Sequence, residues 1–253
     1  MQTRSIRAAA LVALFCTQWA APAAFAMDDA EKTEIKKVVR EYLLENPEVL
    51  LEAMDALETK RAAEESKSQS QAIAGVADQL NETPPGTALG NPEGDVTLVE
   101  FFDYNCGYCK RALPDTKALI AGDPKLRVVL KEIPVLGEQS VAASRVSLAF
   151  RHIQPARYGE FHEKLLGSRG VADEDSAIAV AEGFGVGEAD IRKAMALPDI
   201  QAAIDADTRL SAALRINGTP SYVIGDEVVS GAVGRAALGA KIDNVRRCAK
   251  ATC

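Results

Sequence analysis

The sequence has few of the residues that build metal centres and nucleic-acid surfaces. Its 253 residues include only two histidines and no basic run. Asp and Glu number 36 against 29 Lys and Arg, so the net charge is −7. An acidic chain without a basic stretch is poorly suited to a phosphate backbone. We therefore expect no nucleic-acid partner.

Long hydrophobic runs are absent except near the start of the chain. There, two arginines precede an apolar stretch that ends in Ala24-Phe25-Ala26, the pattern of a signal-peptide cleavage site. Thr17 and Gln18 interrupt this stretch and leave it shorter than the roughly 20 apolar residues that cross a membrane. Residues 1–26 are therefore predicted to be a cleaved signal peptide, and the protein is predicted to be periplasmic.

Residues 27–85 have the apolar periodicity of helices but are too short to bury a good core alone. Apolar residues recur at three-to-four spacing on both sides of Asn46-Pro47, a typical boundary between two helices. The polar stretch 64–71 is typical of a solvated helix or a flexible linker. A segment of this size needs a partner surface. It either folds back onto its own domain or associates with other copies of the chain.

Residues 86–253 alternate between strand and helix patterns. The order is strand, helix, strand, a mostly helical insert at about 139–214, two short strands and a closing helix. Gly225-Asp226 marks the hairpin turn between the two short strands. The predicted fold class is α/β: a βαβ unit, a helical insert and a ββα unit, preceded by an N-terminal helical segment.

Cys106 and Cys109 enclose Gly107-Tyr108 directly after the first predicted strand. A structural zinc site usually needs four Cys or His ligands, and this pair supplies two. His152 and His162 lie beside polar residues in the predicted insert, so we expect both at the surface. The composition therefore favours a reactive dithiol over a zinc site.

A reactive dithiol has a physical basis at this position. Free N–H groups and the positive end of the helix dipole stabilise a thiolate at a helix N-terminus. Cys106 would occupy that place and would attack a disulfide or be attacked. Cys109 lies about one turn further along the helix and would resolve the resulting mixed disulfide.

Thr219-Pro220 comes immediately before a predicted strand. Proline has no N–H to donate, so its place there needs a reason. A cis bond would supply one by exposing backbone beside the sulfurs to a substrate peptide. Taken alone, such a proline is more often an ordinary trans turn residue.

Together, "VEFFDYNCGYCK", the helical insert and "GTPSYVIG" resemble the thioredoxin-fold thiol–disulfide oxidoreductases of the DsbA type. The resemblance implies a thioredoxin fold with an inserted helical domain in residues 86–253, and Pro220 in cis. It also implies that Glu100 is a buried acid, and an acid buried near Cys109 would be placed to relay its proton. Lys131 would then be the buried partner of this acid. The alternative for Glu100 is an edge-strand charge that faces water.

The chain departs from the strong oxidants of that family. The resemblance implies that those proteins carry Pro-His between the cysteines and Val before the cis-proline, whereas this chain has Gly107-Tyr108 and Thr219. Both features resemble the disulfide isomerases. Residues 30–60 resemble the N-terminal region of ScsC proteins of suppressor-of-copper-sensitivity systems, which implies a homo-oligomer, with a trimer favoured.

Cys248 and Cys253 lie five positions apart at the end of the chain. In an exported protein, a local disulfide that ties the last helix is the favoured interpretation. A free or shuttling pair is the alternative.

The sequence thus favours a protein disulfide isomerase or reductase that acts on unfolded or misoxidised proteins, has a membrane redox partner and needs no cofactor. Its predicted catalytic residues are Cys106, Cys109, Thr219, Pro220, Glu100 and Lys131. One alternative is a monomeric dithiol oxidase that donates disulfides. Another is a copper-handling module in which the thiolates of the pair are soft Cu(I) ligands. A holdase without redox chemistry would not need two cysteines.

Overall fold

The computed structural model describes residues 27–253, so the predicted signal peptide lies outside the described residues. The chain divides into two compact units, of which the first ends at Glu58 and the second comprises Thr59–Cys253. No helix within the described range combines the length and the apolar character needed to cross a membrane.

The first unit is helical, as the sequence predicts. α1 (Asp29–Glu45) begins after Asp28, whose side chain accepts a hydrogen bond from the N–H of Glu31 at 2.8 Å. The Glu31 carboxylate in turn accepts one from the N–H of Asp28 at 3.1 Å. This capping box satisfies N–H groups that have no partner inside the helix. Asn46 ends α1, and α2 (Glu48–Gly75) follows.

The second unit contains a five-stranded mixed sheet with the order β1-β3-β2-β4-β5. β2 and β3 are parallel, and the other neighbouring strands are antiparallel. Apart from the two-residue edge strand β1, these are the strands that the sequence predicts. Their bounds are Leu89–Gly90 (β1), Val96–Phe102 (β2), Leu126–Glu132 (β3), Ser221–Ile224 (β4) and Glu227–Ser230 (β5).

Helices connect the strands and form the insert. α4 (Gly107–Gly122) joins β2 to β3, and α10 (Arg235–Cys248) follows the last strand. The inserted helices lie between β3 and β4, as predicted, and the architecture is the thioredoxin fold with a helical insert. The remaining helices are α3 (Ala77–Asn81), α5 (Glu138–Ile153), a 3-10 turn (Pro155–Arg157), α6 (Tyr158–Leu166), α7 (Glu174–Glu182), α8 (Glu188–Met195) and α9 (Pro198–Ala213).

The two faces of the sheet have separate cores. Successive residues of a strand point to opposite faces. Along β2, Leu98 and Phe102 lie in the larger core, which α4, α10 and the insert help to form. Glu100 therefore points to the same face. Val99 and Phe101 lie in the second core, on the other side.

The second core recruits residues from the predicted N-terminal segment. Ile73 of α2 and Leu80 of α3 are buried there, against the sheet. The sequence predicts a boundary near residue 85, whereas the compact units divide at Glu58. The reason is the short apolar stripe after the polar stretch 64–71, which packs on the sheet of the second unit.

Candidate active site

Cys106 is the N-cap of α4, immediately after the turn that ends β2. Its backbone is extended (φ −73°, ψ 113°), and its Sγ accepts a hydrogen bond from the N–H of Cys109 at 3.3 Å. A sulfur in this place faces the unpaired N–H groups and the positive end of the helix dipole, which stabilise a thiolate. Gly107 and Tyr108 beside it are exposed. Of the two sulfurs, Cys106 Sγ therefore has the geometry that suits an attacking thiolate.

The loop before β4 reaches the same sulfur. The bond between Thr219 and Pro220 is cis, and the Cys106 thiol donates a hydrogen bond to the carbonyl oxygen of Thr219 at 3.1 Å. The carbonyl oxygen of Pro220 accepts from the N–H of Gly231 at 2.8 Å, which ties the loop to the end of β5. The Thr219 backbone thus forms one wall of the reactive site.

Cys109 is fully buried, one turn further along α4. Burial raises the pKa of the Cys109 thiol because a thiolate there would lose its solvation, and a hydrogen bond with the backbone of Asp103 opposes this only in part. Neither Cys106 nor Cys109 is in a disulfide. Since the buried thiol must lose its proton before it can attack, the site needs a proton acceptor.

Glu100 is a buried carboxyl group on the sheet face that α4 covers. It is 2% exposed, and its Oε2 accepts a hydrogen bond from the hydroxyl of Thr116 at 3.0 Å. Thr116 shares the buried face of α4 with Cys109. Burial raises the pKa of Glu100 to about 7, and the Thr116 hydrogen bond offsets part of that rise. This carboxyl can therefore both take and release a proton near neutral pH.

The prediction that Lys131 pairs with Glu100 is wrong. In the parallel register of β2 and β3, Lys131 lies beside Phe101, so its side chain points to the opposite face of the sheet. There its Nζ donates to two backbone carbonyl oxygens at 2.9 Å each and lies 3.7 Å from Asp207 Oδ1. Lys131 thus belongs to an ion pair of the second core.

The turn between β2 and Cys106 contains residues that the sequence analysis missed. Buried Asp103 accepts from the N–H of Asn105 at 2.7 Å and from the hydroxyl of Ser140 at 2.8 Å. Asn105 accepts from the N–H of Ala172 at 2.7 Å and donates to its carbonyl oxygen at 2.8 Å. These bonds anchor the loop before Cys106 to the insert. Asp and Asn in a turn directly before the cysteine motif were the available signal.

A second buried acid, Glu132, ends β3 and was also missed. Its Oε1 accepts from the hydroxyls of Ser147 at 2.8 Å and Tyr158 at 2.9 Å. The Tyr104 hydroxyl lies 2.7 Å from the Ser147 hydroxyl and continues this network toward the active-site turn. Burial raises the pKa of Glu132 to about 7. A charged residue at the end of a buried strand was its only sequence signal.

His162 is buried, contrary to the prediction that it lies at the surface, whereas His152 is exposed. α6 turns the His162 ring inward, where it packs edge-on against Phe102 with 4.6 Å between ring centroids. Burial lowers the pKa of His162 to about 3, so the ring is neutral at physiological pH. Polar neighbours in the sequence concealed this because only the tertiary packing of α6 decides which face is covered.

Cys248 and Cys253 form a disulfide at the end of α10. Between them, the N–H of Ala251 donates to Asp226 Oδ1 at 2.9 Å, in the turn between β4 and β5. The bridged tail is thus tied to the hairpin.

Metal ligands do not converge in the described part of the chain. Within residues 27–253, no three or more His, Cys, Asp or Glu side chains are grouped so that they could hold a metal ion. Cys106 and Cys109, which are free thiols, supply two soft ligands of the kind that Cu(I) prefers.

Residues 97–243 match the family described as the DSBA-like thioredoxin domain, over more than half of the chain. The protein belongs to this family. Residues 31–64 match the copper resistance protein ScsC N-terminal domain. This DsbA-like chain therefore carries an ScsC-type segment in front of its thioredoxin fold.

Solved structures of similar proteins support this assignment. A thioredoxin-like oxidoreductase from Silicibacter pomeroyi is 41% identical, with 68% of this chain and 98% of that chain covered and a TM-score of 0.64. Proteus mirabilis ScsC in a transitional conformation is 32% identical, with 87% and 96% covered and a TM-score of 0.63. The thiol-disulfide exchange protein alpha-DsbA2 from Wolbachia pipientis is 28% identical, with 72% and 97% covered and a TM-score of 0.67.

Among curated proteins, the Na(+)/H(+) antiporter NhaA 1 from Salinispora arenicola is 24% identical over 153 residues. The match covers 60% of this DsbA-like chain but 24% of the antiporter. The chain thus spans about a quarter of the length of the curated relatives that it matches.

Proposed function

We propose that this protein is a periplasmic protein disulfide isomerase and reductase whose reactive group is the Cys106-Cys109 dithiol. The observation that carries the proposal is the place of Cys106 Sγ between the N–H of Cys109 at 3.3 Å and the Thr219 carbonyl at 3.1 Å. The first contact stabilises a thiolate. The second keeps the Thr219 backbone beside the attacking sulfur, where we expect an extended client backbone to bind.

The reaction begins when the Cys106 thiolate attacks one sulfur of a client disulfide. A bond forms between Cys106 and that sulfur, and the other client sulfur leaves as a thiolate. In isomerisation, a second client thiolate attacks the mixed disulfide and releases Cys106, with no net transfer of electrons. In reduction, Cys109 attacks Cys106 Sγ and releases the client sulfur as a thiolate.

Reduction leaves the dithiol oxidised, so the cycle needs a reductant. We assign this role to a membrane redox partner that returns two electrons and restores the thiols of Cys106 and Cys109. Glu100 takes the proton of Cys109 before this thiol attacks, because its own carboxyl titrates near neutral pH. The signal peptide at residues 1–26 would deliver the chain to the periplasm.

Isomerisation is favoured over oxidation by the residues around the sulfurs. Gly107-Tyr108 and Thr219 stand where the resemblance implies Pro-His and Val in strong oxidants. Self-association through the ScsC-type segment, with a trimer favoured, would place several dithiols around one unfolded client and raise their effective concentration. A monomeric dithiol oxidase is the competing function.

A Cu(I)-handling role is the second candidate. The family matched by residues 31–64 is described as a copper resistance protein. Two neighbouring thiolates are soft ligands of the kind that Cu(I) prefers. In this role Cys106 and Cys109 would bind the metal ion, and they would not pass through a cycle of oxidation and reduction.

The decisive experiment measures recovery of a model enzyme with scrambled disulfides. We expect the wild-type chain, residues 27–253, to restore its activity catalytically and Cys106→Ser to reduce the rate to the uncatalysed background. Cys109→Ser should retain isomerisation but accumulate the mixed disulfide, because the resolving thiol is missing.

The two alternatives predict different results in this assay. A wild-type chain that leaves the scrambled enzyme inactive, yet quickly oxidises a reduced client, would be an oxidase. A chain with neither activity that binds Cu(I) only when Cys106 and Cys109 are both present would favour copper handling.

A further inference from the structure

Tyr222 is a buried tyrosine whose hydroxyl lies near that of Thr116 but forms no hydrogen bond of normal geometry. It is 1% exposed. Within residues 27–253, only one other fully buried polar side-chain atom, Glu132 Oε2, also lacks a hydrogen bond. A buried hydroxyl without an acceptor destabilises a fold, so it needs an explanation.

The sheet places Tyr222 beside the proposed proton acceptor. Tyr222 of β4 lies directly opposite Glu100 of β2 in the antiparallel register. Side chains in such a pair share one face, with Cβ atoms about 4.5–5.5 Å apart. Burial raises the pKa of Tyr222 and the charge of Glu100 raises it further, whereas the neighbouring Thr116 hydroxyl lowers it. Charges on Cys109 and on Asp115 of α4 also raise the pKa of Tyr222.

The described groups that face Glu100 include no cation. α4 contributes the hydroxyl of Thr116 and the thiol of Cys109, and β4 contributes the phenol of Tyr222. Leu130 of β3 is apolar, and α10 covers this face with apolar side chains. A charged Glu100 therefore depends on hydroxyl donors, and Thr116 supplies only one.

We propose that Tyr222 is a positioning residue whose hydroxyl donates a hydrogen bond to one water molecule, which in turn donates to the Glu100 carboxylate. This inference rests on the proposed function, since it concerns the resolving step. The proton of Cys109 passes to Glu100, the Cys109 thiolate forms a disulfide with Cys106, and the client sulfur leaves as a thiolate. Tyr222 keeps its proton and stabilises the carboxylate before the transfer.

The test measures the resolving step by itself. A coloured aromatic thiol is bound to Cys106 of the full chain as a mixed disulfide, and its release by Cys109 is followed from about pH 5 to about pH 9. We expect the wild-type rate to rise through an inflection near pH 7, where Glu100 titrates. In Glu100→Gln this inflection should disappear.

Tyr222→Phe removes only the hydroxyl. Loss of a donor to the charged carboxylate should move the inflection upward by roughly one pH unit and lower the rate about tenfold on the acidic side. Tyr158→Phe is the matched control, because it removes a buried tyrosine hydroxyl that is bonded to Glu132 and not to Glu100. Its inflection should stay at the wild-type position.

A space-filling role for Tyr222 gives the opposite result. Tyr222→Phe would then keep the wild-type inflection and become more stable, because it loses an unsatisfied hydroxyl. That outcome would overturn the proposal, as would a Glu100→Gln profile identical to the wild type. Carbon NMR titration of the Glu100 carboxyl in wild type and Tyr222→Phe checks the shift independently of rate.

Failure of the proposed function would look different. A wild-type chain that resolves the mixed disulfide with this inflection, but does not restore a scrambled client, is not an isomerase. The role of Tyr222 would stand in that case.

Discussion

At the scale of single residues, the buried carboxyl groups of Glu100 and Glu132 make the stability of this protein depend on pH. Burial raises the pKa of Glu100 and of Glu132 to about 7. Glu132 accepts hydrogen bonds from Ser147 and Tyr158, and the charge of Arg151 lowers the pKa of Glu132 by less than burial raises it. The unfolded chain ionises these groups at lower pH than the folded chain does, so the free energy of unfolding depends on pH.

For Glu132 the sign follows from the raised pKa. From its ordinary value of 4.5 up to about 7, the folded chain holds a proton that the unfolded chain has lost, so stability falls as pH rises. Glu132→Gln removes this loss. We expect the stability of the variant relative to wild type to rise by roughly 2–3 kcal/mol across that window, measured by urea unfolding at several pH values.

Other titrating groups cancel in this comparison. Burial lowers the pKa of His162 from 6.5 to about 3, so its neutral ring costs stability as pH falls below 6.5, but equally in both proteins. The pH-independent cost of a buried amide shifts the whole curve without changing its slope. Glu182→Gln, which removes an exposed carboxyl, is the control. Parallel curves for wild type and Glu132→Gln would contradict the prediction.

Among the elements, the loop between α6 and α7 is held against the start of α4. Asn105 pairs with both backbone groups of Ala172. Lys110 donates from Nζ to the carbonyl oxygens of Ser168 and Gly170, at 3.0 Å each. The insert is thus attached by hydrogen bonds to the residues on both sides of Cys106, and this attachment keeps the loop beside the reactive sulfur.

Replacing the Asn105 side chain should release this loop. We expect Asn105→Ala to lower the free energy of unfolding by about 1–3 kcal/mol, because the Ala172 N–H and carbonyl lose their partners. Amide exchange at Ala172 should become faster. Asn91→Ala removes another amide that bonds to distant backbone, the Pro124 carbonyl, and should leave exchange at Ala172 unchanged. If the Ala172 amide exchanged as slowly in Asn105→Ala as in the wild type, the Asn105 side chain would not be what holds this loop.

At the scale of the whole molecule, the first unit presents apolar side chains to solvent. α1 and the beginning of α2 bury none of their large apolar residues within one chain. An exposed stripe of this extent on a short helical segment usually marks an interaction surface. The exposed residues are Ile35, Val38, Val39, Tyr42, Leu44, Leu50, Leu51, Met54 and Leu57.

Charges placed in this stripe should dissociate the proposed oligomer. We expect the wild-type chain to have the mass of an oligomer, three chains if the favoured trimer forms, by light scattering. Leu51→Lys with Met54→Lys should have the mass of one chain, because both residues lie in the stripe. It should also lose most of the isomerase rate while keeping the reduction rate per dithiol.

The control adds the same two charges elsewhere. Ala56→Lys with Thr59→Lys places them on the opposite side of α2, at about 100° per residue, and should leave the mass unchanged. A wild-type chain with the mass of one protomer at micromolar concentration would contradict the oligomer proposal.

The sequence was sufficient where the signal is local. The strand before Cys106, the helix that begins at the cysteine pair and the hairpin at Gly225-Asp226 follow from apolar periodicity and turn residues. Short apolar stripes were less informative. The apolar periodicity around Ile73 predicts an amphipathic helix but does not say what covers its apolar side. The structure shows that it packs on the second face of the sheet.

Side-chain partners could not be read from the chain because they depend on which face of a strand or helix meets which neighbour. Lys131 is two positions from Val129 and therefore shares its face, but the register with β2 was needed to separate it from Glu100. The burial of His162 likewise could not be predicted from the sequence, because it depends on how α6 is oriented against the core.

The sequence by itself determined the place of the cysteine pair at a helix N-terminus and the α/β fold with a helical insert, because these depend on residue type and short-range periodicity. The tertiary structure alone decided the surroundings of Glu100. Strand register placed Tyr222 across from it, helix packing placed Thr116 against it, and Lys131 was directed to the other face. Those long-range contacts set the proton affinity of the site.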